Sequence, residues 1–157
     1  MLAFSRGVLV KLARVCPSAF AVAALLALST LVSGCSESPT SPSNYAPFSQ
    51  TDLRLGAGDE AVTGKVLTVT YTAWLYDTSQ ISQKGATVDS SVGRDPLTFT
   101  LGAGSVIEGW DQGLVGMKAG GLRRLVVPPS LAYGQSRVGP IPPNTTLLFE
   151  VELLEVK

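Results

Sequence analysis

Histidine is absent from this 157-residue chain, and with it go the commonest metal ligand and the commonest general base at neutral pH. Ser-His-Asp and Cys-His schemes of covalent catalysis are thereby excluded. Only two cysteines occur, Cys16 and Cys35, and both precede the globular part. The domain then contains neither an internal disulfide nor a cysteine-ligated zinc, so its stability must come from packing. An excess of positive charge is lacking too. Twelve basic residues face twelve acidic ones, and Arg6, Lys11 and Arg14 sit near the N-terminus, so loss of that segment leaves nine against twelve. A mildly acidic body without a basic stripe gives no electrostatic footprint for nucleic acid.

No apolar run reaches the roughly 18 to 20 residues that span a bilayer as a helix. The longest, residues 19–32, follows the three basic residues and leads into small ones, which is the order of a secretory signal. The stretch Leu31-Val32-Ser33-Gly34-Cys35 resembles the bacterial lipobox. That resemblance implies removal of residues 1–34 and a lipid on the Cys35 sulfur, which ties the protein to a membrane. The bland alternative is an ordinary cleaved signal that leaves Cys35 as a thiol. Residues 35–50 are rich in Ser and Pro, too polar to bury a core, and read as a tether. Residues 51–157 then form one domain. Ser36 after the cysteine resembles residues that permit outer-membrane sorting. The expected location is the bacterial cell envelope, lipid-anchored, at the outer membrane facing the periplasm.

The domain reads mostly as strand. Over residues 66–76, Leu67, Val69, Tyr71, Ala73 and Leu75 share one face against Thr68, Thr70 and Thr72, the alternation of a half-buried strand. Residues 97–101 repeat it, 122–127 form a run ended by Pro128 and Pro129, and 147–156 alternate Leu147, Phe149, Val151 and Leu153 with Glu150 and Glu152. The convincing helix starts near Ser105, where Ser105 and Glu108 have the spacing of a capping box and Ile107, Trp110 and Leu114 share a face. Gly109 and Gly113 keep that helix short or closely packed. The Ser-, Gln- and Gly-rich segment 77–87 reads as an exposed loop. One helix across an antiparallel sheet of about five strands gives an α+β class.

Three separated stretches place large apolar residues beside turn-forming Gly and Pro: Val106-Ile107-Glu108-Gly109-Trp110, Leu131-Ala132-Tyr133-Gly134, and the run from Ile141-Pro142-Pro143 to Phe149. Such groupings suit a concave apolar site whose walls are loops borne on a sheet. Together with Tyr71-Thr72, Asp89-Ser90-Ser91, Phe99-Thr100-Leu101-Gly102 and Gly113-Leu114-Val115-Gly116-Met117, and in this order, they make the chain from Thr51 onward resemble an FKBP-type peptidyl-prolyl cis-trans isomerase.

That resemblance implies a twisted antiparallel sheet wrapped around one short helix. It implies an enzyme that accelerates rotation about X-Pro bonds without covalent chemistry, metal or cofactor, and that assists folding of exported envelope proteins. Proline-containing polypeptides are the implied partners, with macrolide ligands as a further class. Carried over by position, Trp110 is the pocket floor. Tyr71, Phe99, Val106, Ile107 and Phe149 stand around it, and Ala132, Tyr133 and Ile141 lie on the loop side. The Ile107 N–H and the Tyr133 hydroxyl are the implied donors to peptide carbonyls. Asp89 sits at the rim near the rotating amide, with Arg94 as its partner at a spacing one residue shorter than in the family, and Asp89, Tyr133 and Tyr71 are the implied catalytic residues. Two positions depart from the pattern: Val88 replaces an aromatic before the rim aspartate, and Leu97 replaces a second pocket phenylalanine. Trading an aromatic wall for an aliphatic one removes apolar contact worth about 1 to 2 kcal/mol, so a wider, weaker pocket is expected. The same departures motivate a rival reading, a non-catalytic proline-peptide-binding module or holdase.

Overall fold

The computed structural model describes residues 45–157. The signal segment, Cys35 and most of the tether lie outside the described residues. Among those described, six strands occur in the order β1 (Ser49–Arg54), β2 (Val66–Tyr76), β3 (Lys84–Ser90), β4 (Leu97–Thr100), β5 (Leu122–Val127) and β6 (Leu147–Val156), with one helix, α1 (Glu108–Gly113), between β4 and β5. A single 3-10 turn, Pro129–Leu131, follows β5.

β2 is the strand on which the sheet is built. Leu67 and Val69 are fully buried and Ala73 nearly so, as the alternation requires. Along one edge β2 pairs antiparallel with β6, from Leu67 opposite Val156 to Leu75 opposite Leu147. β5 then pairs with β6 and β1 with β5. The other edge of β2 is shared end to end by two short strands, β4 against Val66–Val69 and β3 against Thr72–Tyr76. Between them the edge is closed by Ser91, whose N–H donates to the Tyr71 carbonyl (2.9 Å) while its hydroxyl accepts the Tyr71 N–H (2.9 Å). A buried serine thus supplies the ladder bonds that neither strand reaches.

The expected fold class holds, with one strand more than about five. Two strands had no apolar alternation to announce them. β1 is exposed at every position and begins at Ser49, inside the stretch read as tether, while Phe48 just before it packs against the core. β3 begins inside the segment 77–87 read as an exposed loop and continues to Ser90; only the turn around residues 78–83 leaves the sheet. The register of β2 and β3 shifts between Ala73 and Trp74, where Ala73 faces Asp89 and Trp74 faces Thr87. Val88 is the extra residue of that bulge, and a bulge re-aims neighbouring side chains.

The helix packs across one face of the sheet, and its approach to β5 is set by glycine. A Cβ on Gly109 would stand 2.4 Å from Val127 Cγ1, and one on Gly113 would stand 2.8 Å from Leu125 Cδ2. Both sequence readings of these glycines are realised: the helix is six residues long and lies close against β5. Helix initiation differs from the capping-box expectation. Ile107 is the N-cap, with no side-chain cap bond, and Glu108 instead accepts from Gln112 one turn on (2.8 Å). Ser105 stands two residues before the N-cap, too early to cap.

Arg123 secures the far end of the helix. It points to the same face as Leu125 and Val127 and is only 6 % exposed. Its Nη1 donates to the carbonyls of Gly113 (2.8 Å) and Val115 (3.1 Å), while Nε and Nη2 grip Asp52 on β1 at 2.6 and 3.1 Å. One guanidinium therefore satisfies carbonyls at the helix C-terminus and pins the exposed edge strand through a bidentate carboxylate pair. Arg123→Met keeps the bulk but removes every donor, so unfolding of residues 45–157 in urea should show a loss of about 3 kcal/mol. A loss below about 0.5 kcal/mol, the range of ordinary surface changes, would mean that water substitutes for the guanidinium.

Candidate functional site

A cavity of about 380 Å³ opens at the gap between β3 and β4, over the start of α1. Its floor is Trp110, which is 4 % exposed because only the part of the indole facing the hollow is left uncovered. Three rings hold that indole. Tyr71 and Phe149 meet it edge-on, with centroids 5.1 and 5.5 Å away and interplanar angles of 82° and 83°. Phe99 meets it tilted at 5.8 Å and 48°. Each such pair contributes about 0.5 to 1.5 kcal/mol beyond its buried area, so the floor is stiff. The indole N–H has no hydrogen-bond partner among the described residues.

The sequence-predicted residues converge on this hollow with three exceptions. Tyr71, Val88, Asp89, Leu97, Val106, Ile107, Trp110, Tyr133, Ile141 and Phe149 line it. Phe99 does not; it is buried behind the indole and acts as its support. Ala132 packs against the core beside Tyr133 without reaching the lining. Arg94 stays outside and touches the site only through Asp89. Val88 and Asp89 are consecutive yet both line the cavity, which a regular strand forbids and the β3 bulge permits.

Sequence reasoning missed Ala73, Ser105, Val138, Gly139 and Pro140 as lining residues. Ala73 had a signal, a small residue in an otherwise bulky inward run, and its lack of bulk leaves room beside Phe149, its cross-strand partner. Val138 is held by reciprocal backbone bonds with Ile141, at 3.1 and 2.9 Å. That narrow loop carries no periodicity to read.

The polar corner is a chain of three side chains. The Tyr71 hydroxyl donates to Asp89 Oδ2 at 2.5 Å, and Arg94 Nη2 donates to Asp89 Oδ1 at 2.8 Å, an oxygen that also accepts the Ser90 N–H at 2.8 Å. The Tyr71 hydrogen bond and then the Arg94 one hold the Asp89 carboxyl below the usual range, so it is ionised at neutral pH. Burial, followed by the hydrogen bond to Asp89, pushes Tyr71 up to about 12. Burial, then the Asp89 charge, raises Tyr133. The Asp89–Arg94 pair is open to solvent and adds little to stability; its effect is to fix where the carboxylate points. Both tyrosines stay protonated donors across the physiological range. Nothing here resembles an activated nucleophile. The corner offers fixed dipoles beside an aromatic floor.

A pH window follows for Tyr71. Between its ordinary value of 10 and about 12, the folded protein keeps a proton that the unfolded chain has lost, so stability is full below pH 10 and falls as pH rises through that window. Spectrophotometric titration should show Tyr71 ionising late, at about 12, with Tyr133 also above its ordinary value, and Asp89→Asn should move Tyr71 downward only in part, because burial is the larger cause. An unchanged titration in that variant would refute the hydrogen bond.

The comparisons with known proteins agree with this geometry. The family model of FKBP-type peptidyl-prolyl cis-trans isomerases matches residues 58–154. The FK506-binding protein of Neisseria meningitidis serogroup A is 52 % identical over 107 residues, covering 67 % of this chain and 92 % of that one. Among solved structures, FkpA from Escherichia coli is 40 % identical with a TM-score of 0.60, over 70 % of this chain and 48 % of that one. The peptidyl-prolyl cis-trans isomerase from Pseudomonas syringae pv. tomato is 35 % identical with a TM-score of 0.59, over 70 % and 75 %. With a family model spanning most of the chain and a relative matched along nearly its whole length, the protein belongs to the FKBP-type peptidyl-prolyl cis-trans isomerases.

Proposed function

We propose that the hollow over Trp110 is where this chain isomerises X-Pro bonds, and that it does so for exported polypeptides at the cell envelope. The observation that carries the first part is the pairing of an aromatic floor with an ionised Asp89 fixed by Tyr71 and Arg94 at the rim. Rotation about X-Pro meets a barrier of about 18 to 20 kcal/mol that comes from amide resonance. A planar amide is the more charge-separated form, and a twisted one loses that polarity. An apolar hollow therefore disfavours the ground state more than the transition state. The proline ring seats against Trp110, and the flanking peptide is held by polar groups at the wall. Ile107 is extended and its N–H makes no hydrogen bond among the described residues, so it is available to a peptide carbonyl. The Tyr133 hydroxyl is the second donor. Interactions that tighten as the amide twists lower the barrier without any bond breaking.

The soluble chain of residues 45–157 should accelerate cis-to-trans isomerisation of a proline tetrapeptide. Asp89→Ala combined with Tyr133→Phe should slow it by about tenfold to a hundredfold, the worth of one or two hydrogen bonds to a charged or dipolar group. A wild-type rate equal to that of buffer ends the catalytic reading; binding of proline peptides without acceleration points to the holdase.

The envelope part rests on the lipobox-like run ending at Cys35 and on the tether after it. If extended at about 3.1 Å per residue, the dozen residues between Cys35 and Phe48 would reach on the order of 40 Å, long enough for an anchored domain to clear the headgroups. Cys35→Ser should shift the protein from the membrane to the soluble periplasmic fraction. Retention in the membrane after that change would require another anchor.

A further inference from the structure

We propose that Asp111 is a positioning residue for the cavity wall, holding in place the loop that presents Val106 and Ile107 to the peptide. The inference rests on the reading of the hollow as the isomerisation site. The loop leaves β4 at Leu101 and must reach α1 at Glu108 without a strand or helix of its own. Its start is fixed, because Leu101 N–H donates to the Lys65 carbonyl and the Leu101 carbonyl accepts from Gly64, each at 2.9 Å. Gly102 and Gly104 then adopt positive φ values of 78° and 67°, and their N–H groups turn toward one carboxylate. Asp111 Oδ1 accepts from Gly102 at 2.8 Å and Oδ2 from Gly104 at 3.0 Å.

After Gly104 only Ser105, Val106 and Ile107 remain before the helix, and all three line the hollow. At their far end the Ile107 carbonyl accepts the Asp111 N–H at 3.3 Å, together with the Trp110 N–H at 2.9 Å. Asp111 thus bonds the wall segment at both ends, by side chain on one side and backbone on the other, and sits next to the residue that forms the floor. Among the described residues no other side chain hydrogen-bonds to the loop between Gly102 and Ile107. A carboxylate suits the task because it only accepts, and both partners are donors. An amide would present one donor to a donor.

Kinetics on the full-length chain, combined with amide hydrogen exchange, test this. Asp111→Ala, and Asp111→Asn as the variant of equal size, should lower kcat/KM for a proline peptide by about tenfold through mispositioning of the wall. The loss should appear mainly as a raised KM, because the wall donor holds ground state and transition state alike. Asp111→Glu keeps two accepting oxygens and should recover most of the activity. Gln112→Ala on the same helix, whose side chain pairs only with the exposed Glu108, should leave it unchanged. In the Ala and Asn variants, the Gly102 and Gly104 amides, which donate to Asp111, should exchange faster than in the wild type, while those of β2 and β6 keep their wild-type rates. Normal kcat/KM well below the melting temperature, or exchange that rises uniformly over the domain, would show Asp111 to be merely a stabiliser and overturn the proposal. A wild-type chain with no catalysis would instead remove the isomerase reading, and unchanged exchange at Gly102 and Gly104 in the variants would still overturn the clamp on its own.

Discussion

The packing of the Trp110 indole against three other rings is the constraint from which the rest of the site follows. An indole at the bottom of a hollow has lost neighbours on one side, and the dispersion contacts missing there must be offset elsewhere. Tyr71 and Phe149 supply them edge-on, from adjoining strands of the sheet, and Phe99 supplies them from β4. For those rings to arrive at one point, β2 must be long enough to carry β3 and β4 in succession on the same edge. The helix must also lie close enough to β5 for its first turn to drop the indole between the strands. Gly109 and Gly113 permit that approach, and Arg123 holds the helix there from its other end. The floor is thus a consequence of the whole sheet, whereas the walls are loops.

That division explains the chemistry of the polar corner. Tyr71 serves both parts: its ring braces the indole and its hydroxyl reaches Asp89. The position of the rim carboxylate is therefore tied to the packing of the floor. Asp89 gains a second fixed contact from Arg94 and a third from the Ser90 N–H, and Ser91 closes the same turn against the Tyr71 backbone. A carboxylate held by so many donors is neither a base seeking a proton nor a free charge. It is a fixed negative charge at the solvent-open rim of the hollow.

Much of this was legible in the sequence, and the limits have physical causes. Strands β2, β5 and β6 bury one face, so alternation marks them, and the aromatic floor residues announce themselves by size and order. β1 buries nothing of its own; its place is set by ladder bonds to β5 and by Asp52 meeting Arg123, a long-range pair with no local pattern. β3 is a strand made of Lys, Gly, Ala, Thr, Val, Asp and Ser with no buried position, and its place is set only by pairing with the far end of β2. The bulge at Val88 inverts the facing that simple alternation assigns, so two adjacent residues both reach the hollow. The capping box failed for a related reason. Ser105 and Glu108 have the right spacing, but Ser105 to Ile107 is stretched along the cavity wall, and the carboxylate that gathers the loop amides comes from Asp111 instead.

The aliphatic walls acquire a definite meaning in this frame. Each tenfold in rate corresponds to about 1.4 kcal/mol of barrier, so an isomerase that breaks no bond needs only a few modest interactions in concert. On the proposed reading of the hollow, floor contact and desolvation act on the ring and on the amide itself, while Val88 and Leu97 touch whatever lies beside them. Loss of an aromatic wall at about 1 to 2 kcal/mol then changes rate or affinity by roughly tenfold and leaves the mechanism in place. Ala73, Val88 and Leu97 line the hollow with small or aliphatic side chains. On the proposed reading, small side chains around a rigid floor trade grip on any one peptide for tolerance of many, the balance an isomerase of varied X-Pro bonds would need.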